Sequence, residues 1–364
     1  MFGGANFLLT GAAKPISFTF SNFASKGTST VEYGSVNSIA VNNSGFYVSQ
    51  GSAYQGPGAG GTTLTSYSTN GLTWSTPTGL GYNFWNPMSS VVVDPTMSST
   101  YNFAIAGNNN TSGYALAWIS TDGISWASAT AGINVAGVYP ALGFGKPGGN
   151  SMWVAVGYNT SGLYYVQGTA PNLWYSNGSW QSITSSLTTA KTVAITYTSG
   201  LGFYAWIVPS TNYAYYTKST DGITWSSVSN STTISLTTTF SIVAAAVSGS
   251  GSSDSVMLIS SNQCCLLNSA GSFSSINSLP GGTNVWQVVT YHKPFKCWLI
   301  FGRDSSYNAI YSYSINNGST WSNPAFVGTS TAVIITGAAV SSTGQVEVVG
   351  YSNTTSYGVF SHSQ

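Results

Sequence analysis

Apolar and polar residues alternate in short runs along the whole chain. Ser89-Ser90-Val91-Val92-Val93 and Trp153-Val154-Ala155-Val156 show the two-residue period of a strand, and no segment keeps the period of a helix. Clusters of Gly, Asn, Ser and Pro separate the runs and mark turns. One stretch reads as four strands: a from Ser89 to Asp94, b from Tyr101 to Ala106, c from Tyr114 to Ser120, and d from Ile124 to Ala129. The next stretch repeats that order over 141–144, 152–157, 163–175 and 180–184. A glycine follows or closes strand b at Gly51, Gly107, Gly157, Gly302 and Gly350. A positive φ there would let the chain leave the strand sharply.

The turn between strands c and d recurs. Ser-Thr-Asp-Gly-Ile-Ser-Trp runs from Ser120 to Trp126 and Ser-Thr-Asp-Gly-Ile-Thr-Trp from Ser219 to Trp225. Weaker copies lie at 68–74, 176–180, 269–273 and 314–321. The closing aromatics are Trp74, Trp126, Trp180, Trp225, Phe273 and Trp321, at intervals of 52, 54, 45, 48 and 48 residues. Four strands repeated at this period predict β-propeller blades. An Asp or Asn before Gly supports a tight turn, and the aromatic after it can pack between neighbouring sheets.

The last unit supplies only three strands, 333–340, 345–350 and 357–362. The missing one is at the other end of the chain. Ser17-Phe18-Thr19-Phe20-Ser21-Asn22 aligns with Ser319-Thr320-Trp321-Ser322-Asn323, with Phe20 in the tryptophan position. The expectation is an all-β, seven-bladed β-propeller of four-stranded antiparallel blades. It forms one domain over 17–364, with residues 17–25 pairing with the C-terminal blade and 1–16 as an extension. Closure removes the exposed edges of an open sheet.

The turn resembles the Asp-box, or BNR, repeat of sialidase-like β-propellers, Ser-x-Asp-x-Gly-x-Thr-Trp. The copy at Ser314 to Trp321 matches in length with Asn316 in the aspartate position, while those at Ser120 and Ser219 are one residue shorter. The resemblance implies that Asp122, Trp126, Asp221, Trp225, Asn316 and Trp321 are structural, because in that family the boxes lie at the propeller edge, away from the active centre. It also implies a test for sialidase chemistry. That chemistry would use three arginines on the substrate carboxylate, and this chain has one, Arg303.

Composition narrows the function classes. Eight Lys and Arg and seven Asp and Glu leave a net charge of +1, with charged residues at 4% and aromatics at 14%. Nucleic acid requires many basic groups on phosphates, so it is not an expected partner. No apolar run reaches the roughly 18 residues of a membrane span. The N-terminus lacks the basic region of a secretory signal. Cys264, Cys265 and Cys297 match no zinc spacing and read as buried reduced thiols, with a bridge from Cys297 to one of the adjacent pair as the alternative.

No catalytic residues, metal site or cofactor is expected. A glycosidase needs two carboxylates roughly 5 to 10 Å apart. Outside the boxes the chain offers Glu32, Asp94, Asp254, Asp304 and Glu347, of which Glu32 and Asp304 share a face without adjacent blades. Asp304 with Asn308 could hold calcium only weakly. The b–c loops and d–a connectors carry Tyr, Trp and neutral amides, which suit sugars or protein contacts. Candidate binding residues are Tyr54, Trp85, Tyr164, Tyr165, Tyr213, Arg303, Asp304 and Tyr307. The expected function is a non-enzymatic attachment protein on a virion surface, such as a phage fibre component, that recognises host glycan or a receptor. Other virion proteins, and further copies of itself, are its expected partners. The alternatives are a secreted or surface lectin and an atypical glycan-cleaving enzyme.

Overall fold

The computed structural model describes residues 16–25, 34–53, 62–63, 65–79, 90–108, 115–128, 139–159, 162–169, 180–183, 187, 190–209, 214–228, 240–249, 251–329, 332–352 and 358–363. Among them the strands form seven antiparallel sheets, each one blade. Blade one holds Gly34–Val41, Tyr47–Ala53, and a third strand in two pieces, Thr62–Thr63 and Ser66–Ser68. Blades two and three follow with Ser90–Val93, Phe103–Asn108, Ala115–Ser120, Ala127–Ser128, then Tyr139–Gly145, Met152–Asn159, Gly162–Gly168, Gln181–Ile183. Blade four shows three strands, Ala190–Thr198, Gly202–Pro209 and Tyr215–Ser219. Blade five is Ala244–Val247, Val256–Ile259, Gln263–Leu267 and Asn277–Ser278. Blade six is Val285–His292, Cys297–Arg303, Ala309–Ser314 and Ala325–Phe326.

Blade seven joins the two ends of the chain. Val333–Val340, Val346–Ser352 and Gly358–His362 come from the C-terminus, and Ala24–Ser25 pairs beside the last of them, Ala24 opposite Phe360. Phe20 bridges Ser363, the Ser21 amide donates to the His362 carbonyl at 2.8 Å, and the Tyr311 hydroxyl donates to the Phe18 carbonyl at 3.0 Å. Phe18 and Phe20 are buried against Phe301 and Tyr311. The predicted closing strand is therefore present.

Burial explains the residue choice. Strand a alternates, as in Val333–Val340, where every second side chain is buried. Strand b sits mid-sheet with a neighbouring blade on each face, so Trp298 to Phe301 are all buried. That double burial turns the two-residue alternation into a continuous apolar run. Each inter-blade seam is one cluster: Val48 of blade one meets Val91, Phe103 and Trp126 of blade two, and Met257 and Cys264 of blade five meet Trp286 and Trp298 of blade six.

The strand-b glycine does a different job from the one its position suggested. Gly302 and Gly350 lie inside their strands, and neither has a positive φ. Each sits opposite a bulge in strand a, between Trp286 and Val288 or between Ile335 and Gly337. An added Cβ at Gly302 would stand 2.2 Å from the Val285 carbonyl oxygen, and at Gly350 2.1 Å from that of Ile334. Space for the bulged backbone, rather than a sharp exit, requires glycine here.

Candidate functional site

The repeated turns are built from their own side chains. In blade two the Ser120 hydroxyl accepts from the Gly123 amide at 2.8 Å, and Asp122 Oδ1 accepts from the Ile124 and Ser125 amides, both at 2.8 Å. Trp126 Nε1 donates to the Gly123 carbonyl at 3.1 Å, which fixes the indole against the preceding blade. Asp221 with Trp225, and Asn70 with Trp74, repeat every one of these bonds. Asn316 accepts from the Thr320 amide, and Trp321 packs on the blade five–six seam. At 269–273 the anchor is Asn268, one residue before the predicted start. Of the copy at 176–180, only Trp180 is among the described residues. Glycine at the turn takes φ +77 at Gly123 and +78 at Gly222, where other residues would be strained.

Among the described residues every aspartate is committed to its own turn. Buried Asp94 accepts from the amides and hydroxyls of Thr96, Ser98 and Ser99, and Lys146 Nζ lies 3.6 Å away. Burial alone would raise its pKa, but the bonds from Ser99 and Thr96 and the Lys146 charge outweigh it and hold it low. Asp254 accepts from the Ser248 hydroxyl and the Gly251 amide. Asp304 accepts from the Ser306 and Asn308 amides at 2.9 and 2.8 Å and from Asn308 Nδ2 at 2.8 Å. Its pKa also falls, the small rise from burial being exceeded by these bonds. Asp304 and Asn308 thus bond each other. Glu32, the proposed partner of Asp304 on that face, lies outside the described residues.

The candidate binding residues divide three ways. Tyr54, Trp85 and Tyr213 lie outside the described residues. Tyr164 and Tyr165 stand on strand Gly162–Gly168, not in a loop, and pair with Gly157 and Val156. Alternation sends them to opposite faces: Tyr164 packs toward blade two and Tyr165 onto Trp225 of blade four at 5.9 Å. The strand read over 163–175 already held both tyrosines, so counting them among the loop candidates was the error, and their rings belong to the seams. Arg303, Asp304 and Tyr307 come together. The Asp304 bonds hold a tight turn in which Tyr307, a residue 42% exposed, takes φ 64 and its ring lies 4.2 Å beneath the Arg303 guanidinium. With Tyr307 exposed and Arg303 half-buried, this is a partly exposed cation–aromatic platform on the b–c side.

On the opposite side, the ends of the seven first strands surround a cavity of about 580 Å³, lined by Val93, Leu142, Ile195 and Val340 together with Lys146 and Lys293. Cys264, Cys265 and Cys297 are buried and unbridged. Burial pushes the first two thiols up to about 11 and Cys297 to about 12, so they stay protonated. His292 is buried and held neutral by desolvation: Nδ1 accepts from the Phe295 amide, so Nε2 donates to the Gly344 carbonyl at 2.8 Å. No helix among the described residues is long and apolar enough to cross a membrane.

Sequence reasoning missed one cluster. Glu347 is fully buried, its Oε1 touches His362 Nδ1, and Gln345 Nε2 reaches both. The signal was a single carboxylate inside Val346-Glu347-Val348-Val349, at a place where blade five has Met257 under the same turn glycine.

No protein-family model matches the chain, and no curated protein matches it in sequence. Solved structures do match in shape. The GH74 xyloglucanase of Xanthomonas campestris superposes with a TM-score of 0.59 at 12% identity, over 95% of this chain and 53% of its own. The NanB sialidase of Streptococcus pneumoniae gives 0.51 at 14%, over 80% and 68%, and a protein of unknown function from Dyadobacter fermentans 0.51 at 11%, over 96% and 98%. The likeness is one of fold. The chain is a propeller of the kind seen in sialidase and xyloglucanase structures, and it spans about half the length of the xyloglucanase.

Proposed function

We propose that this chain is a non-catalytic glycan-binding propeller carried on a virion surface, where it attaches to host polysaccharide through its b–c loop face. The observation that carries this reading is the Arg303–Tyr307 platform, its tyrosine exposed, its arginine half-buried, and its turn pre-formed by Asp304. A sugar ring can stack its C–H face on such a surface while neighbouring amides bond its hydroxyls. The xyloglucanase and the sialidase are propellers named for work on carbohydrate, and this chain would share their ligand class without their reaction. In support of a binding role, six of the seven carboxylates are held in turns or buried: Asp94, Asp122, Asp221, Asp254, Asp304 and Glu347. We read the turns at Ser120 and Ser219 as Asp-boxes with a structural task. A neutral surface rich in Ser, Thr, Asn and Gly favours a place outside the cell, on the virion.

The test is a polysaccharide panel probed with the purified chain, with product analysis by mass spectrometry. Retention on host-envelope polysaccharide with the glycan intact is expected, and Arg303→Ala with Tyr307→Ala should lower it at least tenfold. Shortened glycan products would sink the non-catalytic reading. Undiminished binding by the double variant would move the site off this loop.

A further inference from the structure

The seam where the ring closes, between blades seven and one, differs chemically from the others. Under the blade-one turn an added Cβ on Gly71 would strike Glu347 Oε1 and come within 2.7 Å of Gln345 Nε2. The equivalent glycines meet apolar or sulfur atoms: Val48 and Phe103 below Gly123, Met152 and Val154 below Gly222, Met257 and Cys264 below Gly318. Gln345 Nε2 donates to the Asn70 carbonyl of blade one at 2.7 Å while contacting Glu347 Oε1 at 3.2 Å and His362 Nδ1 at 2.8 Å. His362 is in turn tied to the N-terminal strand, since its amide donates to Ser21 Oγ at 3.1 Å and its carbonyl accepts from the Ser21 amide. One polar cluster therefore touches blade seven, blade one and the chain's N-terminal strand together.

Charge decides what this cluster can be. The groups that face it are Tyr47 from blade one, Ser341 and Gln345 from blade seven, and the Asn70 carbonyl. None is charged: burial pushes the Tyr47 hydroxyl up to about 12. Glu347 is 0% exposed and the His362 side chain 10%. A bare carboxylate or a bare imidazolium would each be a buried charge without a counter-charge, at high cost. The pair is neutral as a whole only when it carries one proton, and that proton lies on the Glu347–His362 contact whichever atom owns it. Gln345 Nε2 can only donate, and at 2.8 Å from His362 Nδ1 and 3.2 Å from Glu347 Oε1 its second N–H favours the form in which Glu347 holds the proton and Nδ1 accepts.

We propose that Glu347 and His362 hold one buried proton as a latch, so that closing the propeller ring depends on keeping it. Two coupled groups sharing a proton titrate as a unit. In the unfolded chain glutamate and histidine release protons near 4.5 and 6.5. Between those values the unfolded pair also carries one proton, so the latch makes stability independent of pH there. Above 6.5 the unfolded pair carries none and the folded pair still carries one, so stability falls as pH rises, until the folded proton leaves near 9. Burial pushes Glu347 up and His362 down, the directions a shared, retained proton requires.

The test follows denaturant unfolding of the full chain from pH 6.5 to 8, below the range in which the thiols ionise. The folding equilibrium constant should drop roughly tenfold across that window. Glu347→Gln should abolish the drop, because a neutral His362 has no proton to retain. A wild-type constant that stays flat, or a drop that survives in Glu347→Gln, overturns the latch. Should that variant not fold, the native protein decides. The chain has two glutamates and two histidines, so carboxyl-carbon and imidazole resonances are few. Glu347 and His362 should show no titration between pH 5 and 7.5. A Glu347 carboxyl titrating near 4.5, or a His362 ring titrating alone near 6.5, overturns it as well.

Discussion

Blades five and six meet across an apolar seam, and blades seven and one across a polar one. At the first, Met257, Ile259, Cys264 and Leu266 face Trp286, Trp298 and Ile300, with Trp321 of the turn laid over them. At the second, Val36, Ile39, Tyr47, Ala339 and Val349 form a smaller cluster, and the space below the turn holds Glu347, His362 and Gln345. The turns above the two seams anchor alike, on Ser314 and Asn316 or on Ser68 and Asn70. Geometry is thus repeated while chemistry is not. An apolar seam closes by excluding water and is indifferent to pH. The polar seam can be closed only in a particular protonation state.

The largest expected effect comes from removing the strand that both seams of blade seven depend on. Deleting residues 1–25 takes out Phe18 and Phe20, each of which would cost about 3–5 kcal/mol if cut to alanine, against a total domain stability of about 5–15 kcal/mol. The truncated chain should lose cooperative thermal unfolding by calorimetry. A sharp transition at the full-length midpoint would show that blade seven closes without it.

Next in size is Trp298→Ala in the apolar seam. A fully buried tryptophan replaced by alanine costs about 3–5 kcal/mol. Because nothing in that seam titrates below the buried thiols, the loss measured by urea unfolding should be the same at pH 6.5 and pH 8. A pH-dependent loss there would erase the contrast between the two seams.

The ring was legible in the sequence for a physical reason. A turn that satisfies its own amides needs the same residues wherever it occurs, so Ser-x-Asp-Gly repeats and can be counted, and Phe20 could be placed as the missing closing aromatic. The site was less legible. Tyr164 and Tyr165 fell inside the strand read over 163–175 and were also counted as loop residues, because tyrosine and glycine are common in both settings; the pairing register with Gly157 and Val156 decides for the strand. Asp304 and Arg303 were found, but the role of Asp304 as the fold of its own turn depends on amides that no residue pattern displays. Glu347 was visible as an oddity among valines, yet its partner His362 lies fifteen residues away and meets it only through strand pairing.

A smaller effect is expected at the turns. Asp122→Ala should cost about 1 kcal/mol, as for other side chains that cap free backbone amides. Asp122→Asn should cost less, since Asn70 makes the same bonds in blade one. Hydrogen bonds from Ser125, Ile124 and Ser120 outweigh burial and depress the Asp122 pKa. Its contribution is therefore complete above the ordinary 3.8 and declines as pH falls through the lowered value. Acid unfolding of Asp122→Asn should lack that decline. A stability loss equal in the Ala and Asn variants would mean the carboxylate, not the turn bond, is what matters.

The smallest effect has the opposite sign. Ser49 follows Tyr47 by two residues on the same face of its strand, and Ser66 stands directly opposite it. Both are fully buried, and neither hydroxyl has a hydrogen-bond partner among the described residues. A buried hydroxyl without a partner carries a desolvation penalty of about 1–3 kcal/mol, and alanine at such a site removes the penalty while leaving only a hydroxyl-sized space. Ser49→Ala should therefore be neutral or stabilising by up to about 1 kcal/mol in urea unfolding at pH 6.5, whereas serine-to-alanine changes at Ser120, whose hydroxyl accepts from Gly123, should destabilise. A loss above about 1 kcal/mol from Ser49→Ala would mean that water fills the closing seam and bonds the hydroxyl. In that case the seam would be wet as well as titratable, and the Glu347–His362 proton would have a route to solvent.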